Sequence, residues 1–279
     1  MNTYVISNRD HAVVEPWRSQ QHDPTDQAGI TAEGFRRLGF QAQWSGPSHA
    51  FSGSLRLGDN ELAFVAAQPR ERNAELLQFL RRKGSAWIAL EVGGAQLDLL
   101  PVLLRENLVD FVHLSFDKLH ACAGNFDTEQ ALRKLAQPNP NVVIVATSAD
   151  SAIAAAGGWI YRQAGFPANS PVPSEGKGAA FFAAFLAIYL ETGGDVQQAL
   201  IAGHANGAAV AGAWEAKKAL LTRRQLEEFL DSNKPPTVPN AFGARTPVPV
   251  DLGLVSAEFK ASDAKRRRLV AALALITGI

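Results

Sequence analysis

Cysteine is almost absent: Cys122 stands alone in 279 residues. One thiol can neither close an internal disulfide nor build a zinc site of cysteines. So poor a supply suits a reducing compartment, and the cytoplasm is the expected location. Neither sign of charge is in surplus, with 27 Lys and Arg against 27 Asp and Glu. A nucleic-acid binder or a protein drawn to an acidic membrane surface needs a basic excess, so neither partner is expected. No apolar run reaches the roughly 20 residues of a membrane span, and no basic segment leads an apolar one as in a secretory signal. Six histidines are scattered without metal-ligand spacing, so no metal site is expected. His120-Ala121-Cys122-Ala123-Gly124 gives the thiol a histidine neighbour, but an inert apolar cysteine is the commoner outcome of such a setting.

What is present is an alternation of short apolar strands and amphipathic helices, in a chain long enough to bury a sizeable core. Thr3–Ser7 and Ala12–Glu15 read as strands, joined as a hairpin through Asn8-Arg9-Asp10. Ile30–Leu38 reads as helix, Glu61–Ala67 as strand, and Glu71–Lys83 as a helix burying Leu76, Leu77, Phe79 and Leu80. Strand follows at Trp87–Val92, helix at Leu97–Asn107, strand at Phe111–Leu114, helix at Thr128–Leu135 and strand at Val142–Ala146. Ala152–Tyr161 reads as a pair of short strands, and Ala179–Glu191, Val196–Ala213 and Arg223–Leu230 as helices. This order predicts an α/β fold with a mainly parallel sheet and helices on both faces. Ligands of such sheets sit beyond the carboxyl ends of the strands, where the turn at Thr147–Ser151 and the helix start at Gly176–Ala179 would meet. Residues 1–231 form the expected α/β domain. Residues 232–279 form an extension, punctuated by Pro235, Pro236, Pro239, Pro247 and Pro249 and ending in a helix with a basic first half, Lys265–Arg268.

The segment Pro173-Ser174-Glu175-Gly176-Lys177-Gly178-Ala179-Ala180-Phe181 carries the chemistry. Two glycines open into an apolar helix, a start whose outward N–H groups and dipole favour an anion. Lys177 adds a point charge, yet no acid stands at the helix tip.

Residues 108–231 resemble the C-terminal half of the ribokinase (PfkB) family of carbohydrate and nucleoside kinases. Gly176, Gly178 and Phe181 fall on the family signature Asp-Thr-x-Gly-Ala-Gly-Asp-x-Phe. Asn141–Ile153, Gly157-Gly158-Trp159, Thr192-Gly193-Gly194-Asp195 and His204-Ala205-Asn206-Gly207 resemble, in order, its nucleotide-side strand and turn, the following hairpin, a loop before a helix, and the helix beside the adenine. The resemblance implies a three-layer α/β/α fold, and ATP or another nucleotide as the ligand. About sixteen residues separate Trp44 from Glu61, where the family has a longer insertion, so the lid is expected to be reduced or missing.

The same resemblance implies eroded catalysis. The family's general base falls on Ala179, and the acid opening the signature on Pro173. Asn-x-x-Glu, which organises magnesium and phosphates, falls on Ser115-Phe116-Asp117-Lys118, which leaves magnesium a doubtful cofactor. The Asn that follows the family's sugar-closing paired glycines falls on Ile30. Gly176, Lys177, Gly178, Ala179, Thr147, Asn206 and Lys118 are the expected anion or nucleotide contacts. Asp26 and Glu91 are the expected substrate-side residues, with Asp117 and Asp150 as further carboxylates. Three readings stay open: a pseudokinase that binds a nucleotide, sugar or other anion as sensor or partner; a divergent kinase with Asp150 or Glu175 as base; and a structural protein without ligand. A homodimer is left open.

Overall fold

The computed structural model describes residues 2–6, 27–45, 61–66, 70–83, 86–94, 97–124, 126–167, 176–211, 213, 215–236 and 245–247. Six parallel strands build most of one sheet: β1 (Asn2–Ile6), β2 (Gln41–Ser45), β3 (Leu62–Val65), β4 (Trp87–Glu91), β5 (Phe111–Ser115) and β6 (Val143–Thr147). Three antiparallel strands extend it: β7 (Ser151–Ala156), β8 (Trp159–Ala164) and β9 (Arg245–Pro247). The sheet order is β2-β1-β3-β4-β5-β6-β7-β8-β9.

Alternation along the strands divides the core in two, because successive side chains leave a strand on opposite faces. Phe64, Trp87, Ala89, Phe111, Val143 and Val145 pack on one side against α1 (Gln27–Arg37), α6 (Lys177–Glu191) and α7 (Val196–Val210). Ala63, Val65, Ile88, Leu90, Val112 and Ile144 face the other way, against α2 (Arg70–Lys83), α3 (Leu100–Arg105), α4 (Phe116–Ala123) and α5 (Thr128–Ala136). The result is the three-layer α/β/α architecture. Two shorter elements complete it, α8 (Ala216–Ala219) and α9 (Arg223–Ser232), the latter opened by a capping box between Thr222 and Gln225.

Helix α6 lies deepest. Every residue from Ala179 to Leu190 is buried, as a helix apolar on all sides must be. Small residues let its neighbours approach. A Cβ at Gly34 of α1 would stand 2.8 Å from Ala183, and one at Gly203 of α7 2.8 Å from the Phe181 ring. Phe181, Phe182, Phe185 and Tyr189 stack in sequence along the helix, and Tyr189 meets Phe111 of the sheet edge-on at 5.2 Å.

The second strand and the turn of the hairpin expected at the start of the chain lie outside the described residues. Both edges of β1 are taken, by β2 and by β3, so no edge is left for an antiparallel partner. Strand β2 and helix α4 were not expected from the sequence. The pair expected over Ala152–Tyr161 is the β7–β8 hairpin, turning through Gly157 (φ 56°) and Gly158 (φ 81°), a double positive φ that glycine permits. Of the extension, β9 joins the sheet beside β8; the expected C-terminal helix and the region of the reduced lid lie outside the described residues.

Phe185 is fully buried and stacked on three aromatic neighbours' worth of ring surface within α6. Phe185→Ala is expected to cost about 3–5 kcal/mol, seen as a lower urea midpoint at unchanged slope.

Candidate functional site

A cleft of about 430 Å³ opens at the carboxyl ends of β4, β5 and β6, against the start of α6. Its walls are Glu91 and Val92 after β4, His113 to Lys118 across the β5–α4 junction, and Thr147 to Ala149 after β6. Lys177, Gly178 and Phe181 of α6 and His204 of α7 close it.

Sheet register brings the polar groups together. Glu91 pairs across the ladder with His113, and Ser115 with Thr147. Glu91, His113 and Thr147 all continue the stripes that face α6. His113 is 4 % exposed, and its ring stacks on Phe182 at 4.9 Å. Its Nε2 lies 3.1 Å from Thr147 Oγ1, and its Nδ1 lies 3.7 Å from Glu91 Oε1. Gly178 leaves room for this group, since a Cβ there would stand 3.3 Å from His113 Cε1.

The two lysines are anchored on opposite walls. Lys118 Nζ donates to the Val92 carbonyl at 2.6 Å, and its backbone N–H donates to Ser115, the N-cap of α4. Lys177 Nζ donates to the Ala149 carbonyl. Burial holds the Lys177 ammonium below the usual lysine range, against the opposing pull of Asp150. His204, 3 % exposed and edge-on to Phe181, is held neutral: burial first, then the Lys177 charge, lower it to about 4, while a hydrogen bond with the Gln163 backbone and the charge of Asp150 act the other way.

Of the residues expected from the sequence, Lys118, Thr147, Lys177, Gly178, Glu91 and Asp117 line this cleft. Gly176 sits behind it as the N-cap of α6, with φ 88°, and a Cβ there would drive to 2.4 Å from Ile30. Two expected contacts do not line the cleft. Asn206 is fully buried and braces the fold: its Nδ2 donates to the Ala180 carbonyl at 2.8 Å, and its Oδ1 accepts from Leu221 N–H at 2.9 Å. Both ends of its amide are consumed by backbone, so it does not reach the cleft. Ala179 is likewise absent from the cleft wall, buried with Ile30, Ala180, Val210 and Leu220 in a separate apolar cluster. Asp150 takes part in the turn after β6, accepting from Ser148 Oγ at 2.9 Å. Asp26, Pro173 and Glu175 lie outside the described residues. The thiol of Cys122 donates to the Leu97 carbonyl at 3.4 Å, and burial, then Asp98, push it above the usual range, the opposite of what activates a thiolate.

His113 and His204 were not expected as site residues. Each interrupts an otherwise apolar inward stripe, in Phe-Val-His-Leu-Ser and in the small-residue run of α7, and that interruption is the signal that could have found them.

Residues 52–222 match the pfkB family of carbohydrate kinases. The chain belongs to that family. No curated protein matches the sequence at a significant level. Solved structures similar in fold include a fructokinase from Vibrio cholerae O395, bound to fructose, ADP and calcium (TM-score 0.61, 16% identity, 82% of this chain and 98% of that one). An aminoimidazole riboside kinase from Salmonella enterica is similar at TM-score 0.60 and 14% identity, over 84% of this chain and 100% of the other. The nucleoside kinase of Methanocaldococcus jannaschii follows at TM-score 0.53 and 15% identity, over 74% and 86%. Identities this low speak to the pfkB fold alone. Among the described residues no helix is long and apolar enough to cross a membrane.

His204 links the site to stability. Folding lowers its pKa from 6.5 to about 4, so above pH 6.5 both states are neutral and the stability is full. As pH falls from about 6.5 to about 4, the unfolded chain takes the proton first, and up to roughly 3 kcal/mol is lost. Urea midpoints between pH 7 and 4.5 should fall more steeply for the native protein than for His204→Gln; equal slopes would refute the assignment.

Proposed function

We propose that this pfkB-family chain has given up phosphoryl transfer to a sugar and binds a nucleotide or a related phosphate-bearing anion in the cleft, as a sensor or partner. One observation carries the reading. The position of the family's general base, Ala179, and that of the Asn after its sugar-closing glycines, Ile30, pack together in one apolar cluster with Ala180, Val210 and Leu220. A methyl group cannot take a proton from a sugar hydroxyl, and loss of a positioned base typically removes about 10²- to 10⁴-fold of rate. The position is also closed to solvent, with Ala179 fully buried.

Anion binding is supported by what lines the cleft instead. Lys118 and Lys177 flank it, and the first turns of α4 and α6 open beside it, with N–H groups that have no partner within their helices. The donor set does not suit a magnesium ion held in the family's manner. Lys118 stands where the metal-organising carboxylate is expected, its ammonium fixed 2.6 Å from the Val92 carbonyl. A cation in that corner repels a second cation and neutralises phosphate directly.

Calorimetric titration with ATP, with and without magnesium, tests this. Binding of similar strength in both, without ADP formation when sugars are added, is the expected result. Lys177→Met should weaken binding about 10- to 100-fold, as loss of a charge-assisted hydrogen bond does. Magnesium-dependent binding with sugar-dependent ADP release would overturn the reading in favour of a divergent kinase, and no binding at all would favour a purely structural role.

A further inference from the structure

We propose that Thr147 is a phosphoryl acceptor, its hydroxyl activated by His113 and oriented through Glu91, so that a nucleoside triphosphate held in the cleft modifies the protein itself. This rests on the nucleotide reading above and adds a chemistry to it. Glu91 ends β4 and Thr147 ends β6, with His113 inside β5 between them, all three on the face toward α6. They form a carboxylate–imidazole–hydroxyl series, with 3.7 Å from Glu91 Oε1 to His113 Nδ1 and 3.1 Å from His113 Nε2 to Thr147 Oγ1. Both inner members are buried, Glu91 at 7 % and His113 at 4 % exposure, while Thr147 is half-buried at the cleft wall. The imidazole is held between these partners by Phe182 and Phe181, stacked at 4.9 and 5.9 Å.

His113 Nδ1 makes no hydrogen bond among the described residues. In the tautomer protonated at Nδ1, that N–H points its charge at Glu91, and Nε2 offers its lone pair to the Thr147 hydroxyl. This is the nucleophile–base–orienting group order of hydroxyl activation. The electrophile is named by its surroundings. Lys118 is bonded to the carbonyl of Val92, the residue after Glu91, and Lys177 to that of Ala149, two residues after Thr147. Two ammonium groups therefore share the cleft with the hydroxyl, the charge a polyphosphate requires. In the step, Thr147 Oγ1 bonds to the terminal phosphorus, the bond from that phosphorus to its bridging oxygen breaks, and the nucleoside diphosphate leaves with the electron pair. The hydroxyl proton passes to His113 Nε2 and from there to solvent.

Incubation of the full chain with ATP, followed by intact mass and peptide mapping, reads the outcome. Phosphothreonine at Thr147 is expected, retained as phosphoserine in Thr147→Ser and absent in Thr147→Val. Glu91→Gln and His113→Gln should slow its appearance at saturating ATP, the latter about 10²- to 10⁴-fold. Acetyl phosphate, run in parallel, separates a general phosphoryl donor from a nucleotide-specific one. ATP binding without any label at Thr147 overturns the acceptor role and leaves the binding reading standing. Absence of both binding and label overturns the two together, and label at Thr147 unchanged by His113→Gln removes the relay.

Discussion

The whole arrangement hangs on the burial of helix α6. Its twelve residues from Ala179 to Leu190 are all enclosed, which requires the sheet on one side and close neighbours on the others. Gly34 and Gly203 make those neighbours close, each at a place where a Cβ would stand under 3 Å from the helix. Since the helix is fixed along its length, its first turn is fixed too, against the ends of β4 to β6. The cleft is therefore a consequence of core packing: it lies where a rigid helix start faces the strand ends of a parallel sheet.

The same packing gives the start of α6 two different sides. Toward α1, Ala179 meets Ile30 in a small apolar cluster with Ala180, Val210 and Leu220. On the sheet side, the same helix presents Gly178 to His113 with only 3.3 Å for a hypothetical Cβ. Polar groups survive there because each has a partner that a close-packed core would otherwise deny it. The buried Glu91 and His113 stand within reach of one another, and an isolated carboxylate at that depth would be costly.

The sheet, its two helical layers and most helix positions were legible in the sequence, because alternation and helical periodicity survive in apolar segments such as Trp87-Ile88-Ala89-Leu90 and Val143-Ile144-Val145-Ala146. Strand β2 was not, since Gln41-Ala42-Gln43-Trp44-Ser45 lies at the sheet edge and lacks the apolar pattern of a doubly covered strand. Helix α4 was hidden by its position, starting at the residue after β5 with Ser115 serving both as strand end and as N-cap. The glycine and lysine positions of the site were readable from local motif, but its histidines were not. His113 becomes a site residue only once register sets it beside Glu91 and two residues short of Thr147's row, and register is a property of the folded sheet. Asn206 shows the converse: its motif resembles one beside a nucleotide, while tertiary contacts give both ends of its amide to backbone.

Charge decides what the cleft can hold. A metal-assisted site gathers carboxylates to bind a cation, which then holds the phosphates. In the proposed reading the lysines do the second task without the first, from fixed positions, each already bonded to a backbone carbonyl on its own wall. An ammonium tied in this way loses less freedom on meeting an anion than one searching from a free chain. Burial works against the charge of Lys177, so an arriving phosphate restores to that ammonium the solvation the protein has removed. The same charge helps to hold His204 neutral; an anion bound at Lys177 would screen it and ease protonation of the histidine. An anion bound as proposed would thus be coupled through one lysine to proton uptake at His204, and by linkage each would favour the other.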